Sequence, residues 1–275
     1  MGITDKIQYC CTTLINTLLL FKKYGHVFRT TTIGEFERRY AGSVLGKAWI
    51  ILYPALLLSI YLFVYMAIFQ VRFGVGGKLH YVVFVFSGLI PYIGVMESAV
   101  QSCVSIKQNI HLIKNVMLPI ELIPARVVAV SMITQFISMS IILLLTVING
   151  TASWHLLWLP IVFALQVLFL VGLSWILSCL GVALLDIGYF INLVVLLLMF
   201  VSPIGFNIEM VPDYLKIVCY LNPIYYMTEM YRGSLLDGKF PEIVTMVIYV
   251  LMCCGTFLIG SIFFRKFKNY LIDYE

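Results

Sequence analysis

Apolar residues gather in six long stretches, at about 48–71, 81–106, 127–148, 156–185, 187–208 and 243–264. The first, fifth and sixth hold no charged residue. A membrane-crossing helix needs about 20 apolar residues at about 1.5 Å rise each. Near a span centre each Leu, Ile, Val or Phe favours insertion by roughly 0.3–0.6 kcal/mol, while a Lys or Arg opposes it by roughly 2.5–3.5. The pattern predicts an all-α integral membrane protein with six transmembrane helices. Residues 127–185 are too long for one span, and Asn149-Gly150-Thr151 breaks them into a hairpin of two.

The polar positions between the spans add detail. In 5–24, Ile7, Cys11, Leu14, Ile15, Leu18 and Phe21 recur at helical spacing, which predicts an amphipathic helix in the membrane interface. A second amphipathic piece is expected over 33–47, with Ile33, Phe36, Tyr40 and Val44 on its apolar side. Residues 209–242 are apolar enough to touch lipid, yet carry eight charged residues, and Asn222-Pro223 divides them. Irregular backbone at membrane depth survives only under protein or beside water. Two short re-entrant helices dipping in from outside satisfy that condition; a plain external loop is the simpler alternative. No internal repeat is visible.

Composition narrows the class. The 275 residues are 62% hydrophobic and 11% charged, against about 25% charged in soluble domains. No polar block is long enough for a soluble domain, so 1–275 reads as one transmembrane domain. With a cytoplasmic N-terminus, 13 of the 18 Lys and Arg fall inside, in 1–47, 107–126 and 265–268. This is the positive-inside bias, and six spans return the C-terminus to the cytoplasm. The net charge of +5 therefore points to membrane topology, not to nucleic acid. The seven Cys show no Cys-x-x-Cys spacing, and Cys10, Cys11, Cys103, Cys179, Cys253 and Cys254 read as reduced packing residues. No cleavable leader is expected, because Lys22 and Lys23 follow the short apolar run 14–21.

Catalytic signatures are missing. Ala41-Gly42-Ser43-Val44-Leu45-Gly46-Lys47-Ala48 superficially resembles a phosphate-binding loop. It lacks the first Gly at Ala41 and the magnesium-holding hydroxyl at Ala48. The chain is not expected to hydrolyse ATP or to be an enzyme. The four His are scattered, so no metal site is expected. Inside the spans Glu97 is the single acid, either facing a polar pathway or pairing with a base. Trp49, Tyr53, Tyr61, Tyr65 and Phe69 recur at multiples of four. Tyr53, Tyr61 and Tyr65 could line a conduit, because aromatic faces stack on sugar C–H groups; ordinary helix packing is the competing reading.

These pieces together resemble a family. Arg39-Tyr40-Ala41-Gly42-Ser43-Val44-Leu45-Gly46 precedes Trp49 and Pro54, and Ser87-Gly88-Leu89-Ile90-Pro91 follows. Next come Leu112-Ile113-Lys114-Asn115 with Leu118-Pro119, then Asp186, Ser202-Pro203, and Leu221-Asn222-Pro223 before Glu229-Met230-Tyr231-Arg232. Over nearly the whole chain this order resembles the permease subunits of ABC-type polysaccharide and polyol-phosphate exporters. The resemblance implies a homodimer in the cytoplasmic (inner) membrane with two ATP-binding-cassette subunits, which hold ATP and Mg. It implies a coupling segment in 107–126 with Lys107, His111, Leu112, Ile113, Lys114, Asn115 and Asp186 serving the ATPase. It further implies an external gate in 207–241, using Ser202, Pro203, Asn222, Pro223, Glu229 and Arg232, with the last two hydrated near the exit. Arg38, Arg39 and Tyr40 would lie at the cytoplasmic entrance. The cargo implied is a polyprenyl-linked glycan, O-antigen before capsule or teichoic acid, with small-drug efflux as the runner-up within the superfamily. Lys47 and Ala48 depart from the commonest pattern. Elementary solvation agrees: an unpartnered hydroxyl moved into hydrocarbon costs roughly 4–8 kcal/mol, so a glycan needs a hydrogen-bonding conduit.

Overall fold

A computed structural model describes residues 22–64, 77–110, 118–148, 150, 153–236 and 241–273. The described residues form helices and turns with no strand. In chain order they are α1 (Gly25–Tyr40), α2 (Trp49–Leu62), α3 (Gly77–Gln108), α4 (Leu122–Ile148), α5 (Leu159–Ala183), α6 (Ile187–Val201), α7 (Asp213–Tyr220), α8 (Pro223–Leu235) and α9 (Ile243–Asp273). Four helical stretches among the described residues are long and apolar enough to cross a membrane: His80–Gln108, Leu122–Ile148, Trp154–Ala183 and Ile243–Lys268. Gly46–Leu62 and Ile187–Val201 are shorter apolar helices. At about 1.5 Å per residue, the 15 residues of α6 rise only about 22 Å. The expected fifth span thus ends at Val201, short of 208, because Pro203 supplies no N–H to continue the ladder. The tail of the expected first span, with Tyr65 and Phe69, lies outside the described residues.

The interface region also departs from expectation. The helix covers Gly25–Tyr40, not 33–47. Gly42 and Gly46 stand at φ +80 and +50, a backbone that favours glycine and ends the helix. Residues 5–21 of the first amphipathic piece lie outside the described residues.

Helix α3 is the centre of the bundle, packed by α2, α4, α5, α6 and α8. Small residues set how closely its neighbours approach. A Cβ at Gly181 would sit 1.7 Å from the Cys103 carbonyl, so α3 and α5 touch backbone to backbone there. At Gly172 and Gly260 the same holds between α5 and α9, with a Cβ on Gly260 only 2.1 Å from the Gly172 carbonyl. Lipid tails are as apolar as Leu, so close van der Waals contact of this kind, not hydrophobicity, drives helix association.

Prolines leave backbone carbonyls that neighbouring helices satisfy. Pro54 cannot donate to Ile50, and the Ser138 hydroxyl from α4 lies 3.3 Å from that carbonyl. Pro203 likewise frees Met199, which accepts from the Tyr61 hydroxyl at 3.4 Å. The break at Gly150 (φ +69) turns α4 toward α5 as its hairpin reading requires.

Candidate transport cavity

One mainly apolar cavity that carries a charged pair gathers residues that the sequence scatters over 95 positions. It has a volume of about 350 Å³ and is walled by Arg39 and Tyr40 of α1, Trp49 and Tyr53 of α2, Glu97 of α3 and Thr134 of α4. The Arg39 guanidinium donates to the Glu97 carboxylate at 2.7 Å, across 58 residues of sequence. Both side chains keep roughly a quarter of their surface exposed. Tyr40 and Thr134 approach hydroxyl to hydroxyl at 3.5 Å. Glu97 therefore both pairs with a base, Arg39, and faces the cavity.

Not every expected lining residue belongs here. Tyr61 is buried between α2 and α6, where its hydroxyl serves the Met199 carbonyl, so it packs helices together. Arg38 turns away and chelates Glu35 one turn earlier at 2.8 and 3.1 Å. The phosphate-loop look-alike is a hydroxyl-capped turn: Gly46 N–H donates to the Ser43 hydroxyl at 2.8 Å.

A second polar group lies deeper, and the motif reading missed it. Gln135 of α4 and Gln166 of α5 exchange amide hydrogen bonds of 2.7 and 2.9 Å. The Tyr231 hydroxyl of α8 joins them, and Gln166 also donates to the Pro91 carbonyl at 3.2 Å. All three side chains are buried. Gly94 makes the room, since a Cβ there would lie 2.1 Å from the Gln135 amide oxygen. The available signal was two Gln residues inside otherwise apolar spans. Glu97 and Gln135 share the lining of one narrow gap, which brings the amide group up against the cavity.

The six expected gate residues do come together. Residues 209–235 hold a short turn and two helices, α7 and α8, divided at Asn222-Pro223 as expected. Asn222 caps α8 by accepting from Ile224 N–H at 2.9 Å, and its amide donates to Ser202 at 2.8 Å. Residues 202–205 are irregular and buried, so their carbonyls need partners. Ser202 accepts from Ile204 N–H at 2.7 Å, and Gly205 accepts from Tyr81 at 2.9 Å. Arg232 forks onto Pro203 and Ile204 at 2.6 and 2.8 Å, lies 3.6 Å over the Phe84 ring, and meets Glu229 at 3.3 Å. Arg232 is only 2% exposed. It is therefore a buried clamp, not the hydrated exit charge expected from sequence. Its fork satisfies backbone that a proline-broken helix leaves open. On α7 the exposed Asp213 carboxyl is held below its usual range by a 2.7 Å hydrogen bond from Lys216.

Among the coupling residues, Asp186 is exposed at the start of α6 and Lys107 is half-buried near the end of α3. His111, Leu112, Ile113, Lys114 and Asn115 lie outside the described residues. The ground on either side of them is pinned. Arg126 donates to Asn109 and lies 3.6 Å from Glu35, while Glu121 takes Lys268 at 2.6 Å on its carboxylate and Trp175 at 3.0 Å on its carbonyl.

Comparison with known proteins bears on the whole assembly. Residues 26–236 match the profile of the ABC-2 type transporter membrane family. An O-antigen export system permease protein RfbA of Klebsiella pneumoniae is 27% identical over 238 residues, 85% of this chain and 89% of its own. A second protein of that name and species is 27% identical over 236 residues, with the same coverage. One from Myxococcus xanthus is 24% identical over 211 residues, 76% of this chain and 79% of its own. Apolar helices of spanning length and a profile match over most of the chain converge: this multi-pass membrane protein belongs to the ABC-2 type transporter family, as a transport subunit and not an enzyme.

Proposed function

We propose that this chain is the transmembrane subunit of an ATP-driven exporter that moves a lipid-linked polysaccharide, of the O-antigen class, across the inner membrane. Family membership implies an ATP-binding partner, and the names of the relatives supply the cargo class. The cavity carries the reading. Trp49, Tyr40 and Tyr53 offer rings to sugar C–H faces, while Arg39, Glu97 and Thr134 offer charged and hydroxyl partners to sugar hydroxyls. Two copies related by a two-fold axis would close a path from two half-walls. ATP and Mg would sit on two partner ATPases, and residues 107–126 with Asp186 would transmit their motion. In this reading α2 and α6 complete six spans with both termini cytoplasmic, and α7 and α8 form an outer gate. Cysteines at Leu215 and Tyr226, in a background without native Cys, should then both react with an impermeant thiol reagent from outside. Labelling of either one solely from the cytoplasm would defeat the six-span topology.

The functional test is reconstitution. Proteoliposomes holding this chain and its cognate ATPase should carry a polyprenyl-linked glycan across the bilayer only with ATP. Transport of drug-like cations in the same vesicles, without glycan movement, would overturn the proposal.

A further inference from the structure

Two glutamines stand inside apolar spans, where an amide without partners is costly. Gln135 of α4, Gln166 of α5 and Tyr231 of α8 carry five N–H and O–H hydrogens between them, and five hydrogen bonds take them all. Gln135 gives one to the Gln166 amide oxygen and one to the Tyr231 hydroxyl. Gln166 returns one to the Gln135 oxygen and gives the other to the Pro91 carbonyl of α3. Tyr231 donates to the Gln166 oxygen. A buried network satisfied to its last donor is rigid and specifies one arrangement of the helices it joins. The gap that Gln135 shares with Glu97 measures only about 10 Å³. A sugar ring does not fit there, so these amides hold protein and not cargo.

The other end of the network is α8. Tyr231 and Arg232 are consecutive on that helix, about 100° apart around its axis. Tyr231 reaches the amides, and Arg232 forks onto the carbonyls of Pro203 and Ile204. One turn earlier Thr228 and Ile204 crowd Gly88 of α3, where a Cβ would lie 2.9 Å from the Thr228 methyl and 3.5 Å from the Ile204 Cα. At the start of α8, Asn222 donates to Ser202. The buried turn 202–205 is thus fastened to α8 at both ends of the helix, and α8 is fastened to α4 and α5 through Tyr231. A slide of α8 would strip Tyr231 of its partners inside the bundle. Its seat is therefore held or lost as a whole, as packed interiors favour discrete arrangements over gradual ones.

We infer that Gln135, Gln166 and Tyr231 are positioning residues for export: they set the seat of α8 and tie the cavity at Glu97 to the turn 202–205. The purpose of that tie, opening an outer gate when the cavity is loaded, rests on the proposed export function; its existence rests on the hydrogen bonds. Glu97 of α3 and Gln135 of α4 line the same narrow gap, so a change of charge or position at Glu97 is felt first by the Gln135 amide. Gln135 has no spare hydrogen with which to answer it, and any new bond it makes is taken from Gln166 or Tyr231. Loss of the Tyr231 bond frees α8, and α8 carries the turn with it.

The test follows the seat of α8 directly, in the full chain in lipid nanodiscs with every native Cys replaced. Ser234→Cys places a thiol in the last turn of α8, where the serine is 6% exposed; Ser178→Cys, at a serine 1% exposed on α5, is the control. Both thiols should react slowly with a small maleimide. Tyr231→Phe removes one hydroxyl and should speed reaction at Ser234→Cys by about tenfold, with Ser178→Cys changed by less than about twofold. Glu97→Gln should also speed reaction at Ser234→Cys, and should add nothing where Tyr231→Phe is already present. If Tyr231→Phe yields no folded protein, replacing the whole set by Gln135→Met, Gln166→Met and Tyr231→Phe leaves no stranded amide and decides by the same rates. Equal acceleration at both thiols would reduce the network to general packing and overturn the inference. So would rapid reaction at Ser234→Cys in the otherwise unaltered chain, an unchanged rate with Tyr231→Phe, or an unchanged rate with Glu97→Gln. These rates need neither ATP nor glycan, so they stand or fall apart from the export reading, which the proteoliposome assay decides.

Discussion

At the residue scale, two arginines illustrate what a sequence reveals about charge in a membrane. Glu97 was visible as a lone acid in an apolar span, and such a residue demands a partner. Its partner was not visible, because Arg39 stands 58 positions away on an interface helix and only tertiary packing brings the two to 2.7 Å. Arg232 was expected to stay hydrated because the gate reading put it near the outer exit; its burial follows from carbonyls that no sequence pattern displays. The two should respond differently to mutation. Glu97→Gln keeps the shape and removes the charge, so export by the reconstituted transporter should fall at least tenfold with abundance within about twofold of wild type. Arg39→Gln should give a similar loss, and the double variant should be no worse than either, with a coupling of about 0.5–3 kcal/mol in a thermal-stability cycle. Additive losses would mean that the residues act separately. Arg232→Ala uncovers two buried carbonyls, at about 1–3 kcal/mol each. It should lower abundance and thermal stability, and Arg232→Lys should not restore them, since one ammonium cannot serve both carbonyls, Glu229 and the Phe84 face at once as Nη2, Nη1 and the guanidinium plane do. Normal abundance with lost export would return Arg232 to the transport path.

At the element scale, breaks in the pattern were more legible than registers. Gly150 and Asn222-Pro223 carry their turn chemistry in the sequence, and α4, α7 and α8 begin or end beside them. Amphipathic periodicity misplaced α1 by eight residues at its start, because the apolar side of an interface helix blends into the first span. The short α6 reflects Pro203, whose effect on helix length depends on whether other helices can satisfy the freed carbonyls; here Tyr61, Tyr81 and Arg232 do so. The glycines mark a further limit of pattern reading, since Gly172, Gly255 and Gly260 look alike in sequence. Structure separates them. A Cβ at Gly172 would lie 2.4–2.6 Å from the α9 backbone, whereas one at Gly255 meets nothing within 4 Å. Gly172→Ala should therefore pry α5 from α9 and lower the melting temperature of the purified protein by several degrees. Gly255→Ala should be neutral or slightly stabilising, because alanine is the better helix former. Equal effects from the two would show that the close crossing does not limit stability.

At the scale of the whole molecule, fold class and family were legible because they rest on long apolar runs and on motif order, both one-dimensional. The transport cavity was legible only in part: Arg39, Tyr40, Tyr53 and Glu97 were named from sequence but assigned to two different places, and the structure joins them around one space. In the proposed reading a partner ATPase drives that space open, and the phosphate-loop look-alike at 41–48 is a Ser43-capped turn. The purified chain alone should show no ATP hydrolysis, and with its cognate ATPase it should form a complex of two copies of each. Force entering between α3 and α4 would meet a rigid base, because Arg126, Glu121, Trp175 and Lys268 tie α1, α4, α5 and α9 together there. A docking segment buries an apolar face, and an unpaired charge placed in such a face is strongly unfavourable. Leu112→Asp or Ile113→Asp should therefore insert normally but lose co-purification of the ATPase and all ATP-dependent export. Glu121→Gln, which cuts the Lys268 tie behind the segment, should keep the ATPase bound while lowering export per ATP hydrolysed. If Leu112→Asp exports at the wild-type rate, the energy enters elsewhere, and exposed Asp186 at the start of α6 becomes the next surface to test.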